Sequence, residues 1–344
     1  MAAFRMTTDL VVVPGNSVQL YTPPTIVLPS TIVNAGTDAM RRFMEFFTAE
    51  NENPNTRAAY GQAIRQFFDW CQLNGLTLET LEPIMIATYK EGLGRRVSVP
   101  TVKQHLAAIR KLFDYLVTGQ IMKNNPAASV RGPKYAVKKG KTPVLTAEQA
   151  RELLDSIEIN VTDELTSVEN PALVGLRDRA LIGVMIFSFA RVSAVINMNV
   201  EDYWQNGKRW WLRLHEKGGK HHEVPAHHNA EAYLDAYIQA ADIAGDMKTP
   251  LFRSALGRTG MLTENRMSRR DALHMIKRRA KHAGLPARIC CHTFRATGIT
   301  TYLENGGTIE KAQAIAAHES PRTTKLYDRT SDDITLDEIE RIVI

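Results

Sequence analysis

The chain has 344 residues, of which 44% are hydrophobic, so it is long enough for two domains with ordinary apolar cores. Its apolar runs fall well short of the roughly 20 residues that a membrane-spanning helix needs. The cysteines, Cys71, Cys290 and Cys291, have neither the spacing of a metal site nor that of a disulfide framework. These features exclude membrane proteins and disulfide-rich secreted proteins, and they predict a reducing, cytoplasmic location.

Positive charge is concentrated in the middle of the chain, although the net charge is only +6. Residues 95–141 contain eleven lysines and arginines and a single acidic residue, Asp114. This pattern indicates a polyanionic partner, and the ordinary alternative is a solvated basic surface. The residues predicted to contact the polyanion are Arg95, Arg96, Lys103, Arg110, Lys111, Lys134, Lys138, Lys139 and Lys141.

The first third of the chain predicts an arm followed by helices. Residues 1–36 have short apolar patches broken by Pro and Gly, which indicate an extended or disordered arm rather than a secretory signal. Residues 37–130 have helical periodicity; Thr56 is predicted to cap one helix, and Gly75 to end it. The apolar face of a later helix is formed by Val102, Leu106, Ile109, Leu112, Phe113 and Leu116. The pattern predicts a small all-α domain with a basic face.

Residues 131–145 have the composition of a basic linker, and the second domain follows at 146–330. Thr146 and Gln149 predict a capping box at its first helix. A long helical stretch runs through residues 176–198. Residues 208–227 then read as two strands joined by a turn at Lys217, and four further helical segments follow. We therefore expect a mostly helical domain with one small antiparallel sheet.

Side chains capable of phosphate chemistry form an ordered set in this second domain. Arg191 ends an apolar run, where an unpaired buried arginine would be unfavourable. Lys217 lies at the tip of the predicted turn. His292 and Arg295 are three residues apart on one helix face, and His318 precedes Tyr327 by nine residues. No member of the set is diagnostic alone.

In this order and with these spacings, the set resembles that of the tyrosine recombinases, the phage integrase family that includes the Xer and lambda-integrase enzymes. The resemblance covers roughly residues 40–335. It implies a two-domain DNA clamp, with a helical core-binding domain at 37–130 and a catalytic domain at 146–330. It also implies that the catalytic residues are Arg191, Lys217, His292, Arg295, His318 and the nucleophile Tyr327.

The chain departs from the family pattern at three places. Ala194 stands where a glutamate usually follows the first arginine, and Ala296 stands where a second histidine often follows the second arginine. Ala317 replaces the glycine before His318. The missing glutamate removes a group that commonly positions the first arginine, and Asp178 or Glu201 is a candidate substitute.

The implied chemistry accounts for these residue types. A tyrosine hydroxyl can attack a phosphodiester and form a 3′-phosphotyrosine, without metal or other cofactor. Arg191 and Arg295 can hold the phosphoryl oxygens, and His318 is a further donor. His292 is the expected base for the phenol, and Lys217 the expected acid for the leaving 5′-oxygen, with its pKa lowered by neighbouring positive charge.

The stretch 318–330 then has a structural interpretation. Ser320 can cap a short helix that begins with Pro321 and presents Tyr327, while residues 322–325 are predicted to touch phosphate. Beyond it, residues 331–344 predict an amphipathic helix that docks on a neighbouring subunit, the alternative being packing within its own subunit.

Two other features are open to a ligand interpretation. The histidine pairs in residues 221–228 suggest metal, but neighbouring strand residues point to opposite faces, which disfavours chelation. Cys290 and Cys291 beside His292 suggest a redox switch, although buried small residues explain them more simply.

The sequence thus predicts a site-specific DNA recombinase that cuts and rejoins double-stranded DNA as a tetramer, with integration, excision or resolution as its outcome. Two alternatives remain: a catalytically impaired DNA-binding protein on the same scaffold, and a relaxing enzyme of the type IB topoisomerase kind. The expected partners are DNA, further copies of the chain and accessory DNA-bending or directionality proteins. We expect a bacterial, nucleoid-associated protein of a mobile element or plasmid.

Overall fold

The computed structural model describes residues 28–48, 50, 53–135, 140–162, 169–216, 219, 221–328 and 339–340. The chain divides into two compact units, residues 1–136 and 137–344. In the described ranges, no helix is both long enough and apolar enough to cross a membrane. The predicted mainly helical class with a small antiparallel sheet is confirmed.

The first unit is entirely helical over its described residues. Its helices are α1 Ser30–Asn34, α2 Thr37–Thr48, α3 Pro54–Leu73, α4 Pro83–Gly94 and α5 Val99–Thr118. They enclose one apolar core, in which Phe67 and Phe113 are fully buried and meet edge to face. The apolar face predicted for α5 is confirmed, because all six of its residues are buried. Helix α1 lies inside the predicted arm, and its Ile32 is fully buried, so the folded part of the chain begins earlier than expected.

The start of α3 differs from the prediction. The helix begins at Pro54, and the Asn53 side chain accepts hydrogen bonds from the backbone N–H groups of Asn55 and Thr56. The assignment of Thr56 as the cap was therefore wrong, because Pro54 suits the first helical position and leaves the preceding residue to cap. Gly75 ends the helix as predicted, with a φ of 65°.

Over its described residues, the second unit combines helices with three small antiparallel sheets. Its elements are α6 Ala147–Asp155, β1 Asn160–Thr162, β2 Glu169–Pro171, α7 Leu173–Phe187, α8 Val192–Ile196, a 3₁₀ turn Val200–Asp202, β3 Tyr203–Asn206, β4 Arg209–His215, β5 His221–Pro225, α9 His228–Ala240, β6 Arg253–Ala255, β7 Leu262–Arg266, α10 Arg269–His282, α11 Cys291–Glu304, α12 Ile309–Ile315 and α13 Pro321–Lys325. The capping box of Thr146 and Gln149 at α6 is confirmed.

The largest sheet has the order β3-β4-β5. Strands β4 and β5 form the hairpin that the sequence predicted. His215 pairs with His221 at the end of β4 and β5 next to the turn. Strand β3 and the pairs β1-β2 and β6-β7 were not predicted. Strands of three to five residues carry too little periodicity to be recognised in a sequence.

The predicted continuous helix through residues 176–198 was wrong, because the chain turns sharply between α7 and α8. Phe189 adopts a φ of 54°, which interrupts the helix after Phe187. Helix α11 packs closely on this bend: a Cβ atom at Gly298 would lie 2.1 Å from the Ile186 carbonyl oxygen. The bend and the glycine together bring Arg191 and the start of α11 to the same region of the unit.

Candidate active site

Arg191 lies at the amino-terminal cap of α8, directly after the bend. Its Nη1 donates to Glu216 Oε2 at 2.5 Å, and the Glu216 side chain is only 7% exposed. About a third of the Arg191 side chain remains accessible. The expected substitutes are not its partner, since Asp178 pairs with Arg177 and Arg279, and no pair joins Glu201 to Arg191 among the described residues.

Arg295 is the most deeply buried charged group of the site, with 1% exposure. Its Nη2 donates to the Ala316 carbonyl at 2.7 Å, and its Nη1 donates to the Phe189 carbonyl. Burial, followed by the nearby charge of Arg191, lowers the Arg295 pKa to about 10. The guanidinium is therefore still protonated at neutral pH, although it has lost most of its hydration.

His292 lies one turn before Arg295 at the start of α11, so the predicted pair does share a helix face. Its ring is partly open to solvent. Partial desolvation, followed by the charges of Arg295 and Arg191, lowers the pKa of His292 below 6.5. The ring is consequently neutral near pH 7 and can accept a proton.

His318 follows α12 and is 7% exposed. Its Nδ1 lies 2.9 Å from the Thr324 hydroxyl, and Thr324 is fully buried. Burial and then the charges of Arg295 and Arg191 lower the His318 pKa to about 3. Thr324 thus supports His318, and because its side chain is fully buried the prediction that it touches phosphate was wrong.

Tyr327 follows α13, whose predicted start is confirmed: Pro321 is the first helical residue, and Ser320 caps it. The tyrosine ring lies parallel to that of His318, with centroids 5.9 Å apart, and its phenol interacts with the Arg295 guanidinium. The Thr300 hydroxyl donates to the Tyr327 carbonyl at 2.8 Å. The tyrosine is therefore held within the unit that also contains both arginines.

The backbone just before Tyr327 is also fixed by the predicted linker. The Gly140 N–H donates to the Leu326 carbonyl at 2.8 Å. A Cβ atom at residue 140 would lie 2.6 Å from that carbonyl oxygen, so only glycine allows this approach without a shift. The linker and the residue preceding the tyrosine therefore pack directly together.

Lys217 lies outside the described residues. The strands on either side of its turn, β4 and β5, are described, as is Gly219 in the turn, which has a φ of 74°. Glu216 is described too, and its contact with Arg191 places the root of the turn at the arginine pair.

The histidine pairs on and after β5 have structural partners. The His222 ring contacts the Ile315 carbonyl at 3.0 Å, and His227 caps α9 while stacking on Phe187 at 4.2 Å. Over the described residues, no group of three or more His, Cys, Asp or Glu is arranged to hold a metal ion.

The basic residues predicted to contact DNA differ in their surroundings. Lys103, Lys134 and Lys141 are exposed. Arg95 is exposed but pairs with Glu91, and Arg96 Nε reaches the Gly92 carbonyl at 3.4 Å. Lys138 and Lys139 lie outside the described residues.

Arg110 and Lys111 are engaged within the first unit. Arg110 donates to the carbonyls of Ala127, at 3.1 Å, and Val130. Lys111 pairs with Glu50 at 3.3 Å. Arg110 in particular closes the loop after α5, which is a role in the fold.

Sequence reasoning missed three features of the site. The first is Glu216, because its ion pair with a residue distant in sequence depends on tertiary structure. The second is Thr324, because a sequence of consecutive polar residues does not reveal which of them is buried. The third is helix α10, which packs against α8 and α11 and has the exposed basic residues Arg269, Arg270 and Lys281. The basic composition of α10 was a signal that could have been used.

Comparisons with known proteins agree on one family. The model of the phage integrase family matches residues 143–333, and that of the phage integrase N-terminal SAM-like domain matches residues 40–120. The tyrosine recombinase XerC of Pelobacter propionicus is 28% identical over 290 residues, which cover 83% of this chain and 88% of the relative.

Two solved structures illustrate the shared fold. The XerH recombinase in its post-cleavage complex with palindromic difH substrate superposes with a TM-score of 0.64 at 17% identity, covering 88% of this chain and 87% of that one. A lambda integrase tetramer bound to a Holliday junction gives a TM-score of 0.58 at 16% identity, covering 86% and 79%.

Proposed function

Because the chain belongs to the phage integrase family and is a tyrosine recombinase, we propose that Tyr327 cuts double-stranded DNA and forms a 3′-phosphotyrosine. The observation that supports this most directly is the parallel packing of the Tyr327 ring against His318, in the unit that also contains Arg191, His292 and Arg295. All five described members of the predicted set meet there.

The first chemical step joins the Tyr327 oxygen to phosphorus and breaks the bond from phosphorus to the 5′-oxygen. His292, neutral near pH 7, takes the phenolic proton. Lys217 gives a proton to the departing 5′-oxygen, which leaves as a hydroxyl. The phosphodiester energy is kept in the new bond, so a 5′-hydroxyl of another strand can attack it and reverse the step.

The arginines stabilise the charge that develops on the phosphoryl oxygens. Arg295 is held by two backbone carbonyls before DNA arrives, and preorganised donors of this kind are each worth about 3 kcal/mol in a transition state. Arg191 keeps an accessible edge beyond its contact with Glu216. His318, neutral and fixed at Nδ1 by Thr324, presents Nε2 as a further donor.

Each unit is proposed to have its own DNA-contacting residues, which include the basic residues predicted from the sequence and, in the second unit, those of α10. Since α10 packs against the two helices that begin beside Arg191 and at His292, its exposed arginines lie near the phosphate site. Contacts of this kind supply affinity without sequence preference and make binding salt-dependent.

The proposal also covers the role of each part of the chain and the assembly of several chains on DNA. We assign residues 37–130 to DNA binding, 131–145 to a linker and 146–330 to catalysis, with 331–344, of which only residues 339–340 are described, linking subunits. A tetramer on two duplexes is the proposed active form, in the cytoplasm and beside the nucleoid. Accessory DNA-bending or directionality proteins would act on this assembly.

A nicked suicide duplex tests the function. The short fragment that carries the new 5′-hydroxyl diffuses away after cleavage, so wild-type protein should accumulate as a covalent complex with DNA, while Tyr327→Phe should not. Tyr302→Phe, at a tyrosine of the same unit, is the matched control and should still form the complex. Absence of a complex on the cognate site would indicate an impaired DNA-binding protein, and trapping without strand exchange would indicate a relaxing enzyme.

A further inference from the structure

Helix α13 ends at Lys325, two residues before Tyr327, and the carbonyl groups that follow it are bonded to other parts of the unit. The Thr300 hydroxyl donates to the Tyr327 carbonyl at 2.8 Å, and the Gly140 N–H donates to the Leu326 carbonyl at 2.8 Å. Carbonyls at the end of a helix lack a partner within it, so they take partners from elsewhere. Two consecutive peptide groups at the tyrosine are therefore fixed by donors outside α13.

Thr300 belongs to a rigid part of the unit. It lies on α11 and is 2% exposed, and every residue from 293 to 300 of this helix is buried. Gly298 brings the helix so close to α7 that a Cβ atom there would meet the Ile186 carbonyl oxygen. Helix α11 therefore has little room to shift on its neighbour, and the Thr300 hydroxyl attaches the Tyr327 carbonyl to it.

The same helix carries His292 and Arg295. Because a helix rises 1.5 Å per residue, Thr300 lies about 7.5 Å along the axis from Arg295 and about 12 Å from His292. Helix geometry fixes these separations, and no loop intervenes. One element thus carries a phosphate-binding arginine, the proposed base and an attachment point for the backbone of the nucleophile.

We propose that Thr300 is a positioning residue for the reaction: by binding the Tyr327 carbonyl, it sets the distance of the nucleophile from Arg295 and His292. The proposal rests on the proposed function. A carbonyl oxygen can only accept, so the Thr300 hydroxyl is the donor and a side chain without a hydroxyl cannot replace it. The Tyr327 ring packs parallel to that of His318, so the ring and the carbonyl are held at two different points. Thr300 controls the second of them.

The test compares Thr300→Val with Thr297→Val in single-turnover cleavage of the suicide duplex. Valine has the shape of threonine but no hydroxyl. Thr297 lies on the same helix and is also 2% exposed, and its hydroxyl accepts from the Leu145 N–H at 3.0 Å, so its variant loses a buried hydroxyl that does not bind the tyrosine. We expect Thr300→Val to cleave at least about tenfold more slowly, whereas Thr297→Val stays within about threefold of wild type, since only the first misplaces a reacting group.

Two further measurements separate positioning from a general effect on the fold. The DNA affinity of Thr300→Val at fixed salt should change less than about threefold, because no positive charge is removed. Thr300→Ser keeps the hydroxyl and loses only a methyl group, so it should restore cleavage to within about threefold of wild type. If the valine variant does not fold, Thr300→Ser and Thr300→Ala give the same comparison, because both lack the methyl group and only serine can donate.

Cleavage by Thr300→Val at the wild-type rate, or an equal defect in Thr297→Val or Thr300→Ser, would overturn the proposal. A loss of DNA affinity as large as the loss of rate would also overturn it, because the defect would then lie in binding. If wild-type protein forms no covalent complex, the proposed function itself fails. The two failures are therefore distinguishable.

Discussion

The Arg295 guanidinium donates a hydrogen bond to the backbone carbonyl of Ala316 at 2.7 Å. The next residue, Ala317, has a φ of 47°, in the left-handed region that side chains with a Cβ disfavour. The second carbonyl that accepts from Arg295 belongs to Phe189, which has a φ of 54°. One of these two carbonyls therefore belongs to a strained non-glycine residue, Phe189, and the other directly precedes one, Ala317. Strained residues of this kind are common at functional sites.

Replacing Ala317 by glycine should relieve one of these strains. We expect Ala317→Gly to raise the free energy of unfolding by about 0.5–1 kcal/mol, the left-handed penalty less the added entropy of the unfolded chain. Chemical denaturation measures this. Ala316→Gly is the control: Ala316 is buried with a φ of −78°, so glycine there should destabilise. If both variants were destabilised equally, the backbone of Ala317 would not be strained.

The stability of the protein should fall in mild acid because of His318. Burial and the two arginine charges hold its pKa at about 3, against 6.5 in an unfolded chain. Between these values the unfolded chain binds a proton that the folded chain does not, so folding is favoured above pH 6.5 and weakened as the pH falls toward 3. The expected slope from one such group is about 1.4 kcal/mol per pH unit.

Denaturation at several pH values below neutrality checks this for wild type and His318→Gln. The variant should lose stability less steeply as the pH falls. The stability of His318→Gln should still depend on pH, because desolvation and the same arginines also lower the pKa of His292. If the free energy of unfolding fell equally steeply with pH in both proteins, His318 would not be the cause of the pH dependence.

The sequence alone predicts the parts of the site that depend on local spacing. His292 and Arg295 share a helix face because they are three residues apart, and Ser320 with Pro321 begins a helix through local capping chemistry. The burial pattern of α5 follows in the same way from its 3.6-residue period. These features need no knowledge of distant residues.

Features that depend on tertiary pairing could not be obtained in this way. Arg191 and Glu216 are 25 residues apart and belong to a helix cap and a strand end, so no periodicity joins them. Asp178 was an equally reasonable partner by charge, but it lies inside α7 with Arg177. Thr324 is one of several polar residues in a row, and only the position of His318 shows that it is buried.

Gly140 should be sensitive to substitution because its N–H binds the Leu326 carbonyl. In Gly140→Ala the new Cβ, 2.6 Å from that oxygen, would displace the backbone beside Tyr327. We expect single-turnover cleavage to fall about tenfold or more, since small misplacements of a reacting group have large effects on rate. Gly132→Ala is the control, because its Cβ would meet Leu106 at an ordinary 3.7 Å. Similar rates for wild type and Gly140→Ala would show that this contact does not position the tyrosine.

Lys103 and Arg110 of α5 are both basic and both predicted to contact DNA, yet their surroundings predict different effects when each is replaced by alanine. Lys103 is exposed, whereas Arg110 donates to the carbonyls of Ala127 and Val130. Lys103→Ala should weaken DNA binding and reduce the slope of log affinity against log salt by about 0.9, with unchanged stability. Arg110→Ala should instead lower the free energy of unfolding by about 1–3 kcal/mol, because two buried carbonyls lose a charged donor.

Salt titrations of DNA binding and denaturation curves for both variants distinguish these roles. The half-buried guanidinium of Arg110 can use its remaining N–H groups on phosphate only where they reach solvent, so its effect on the salt slope should be smaller than that of Lys103. A variant of Lys103 that unfolds more easily while binding DNA with the wild-type salt slope would reverse the assignment. In that case the basic face of α5 would serve the fold, and the DNA contacts of the first unit would have to come from residues such as Lys134.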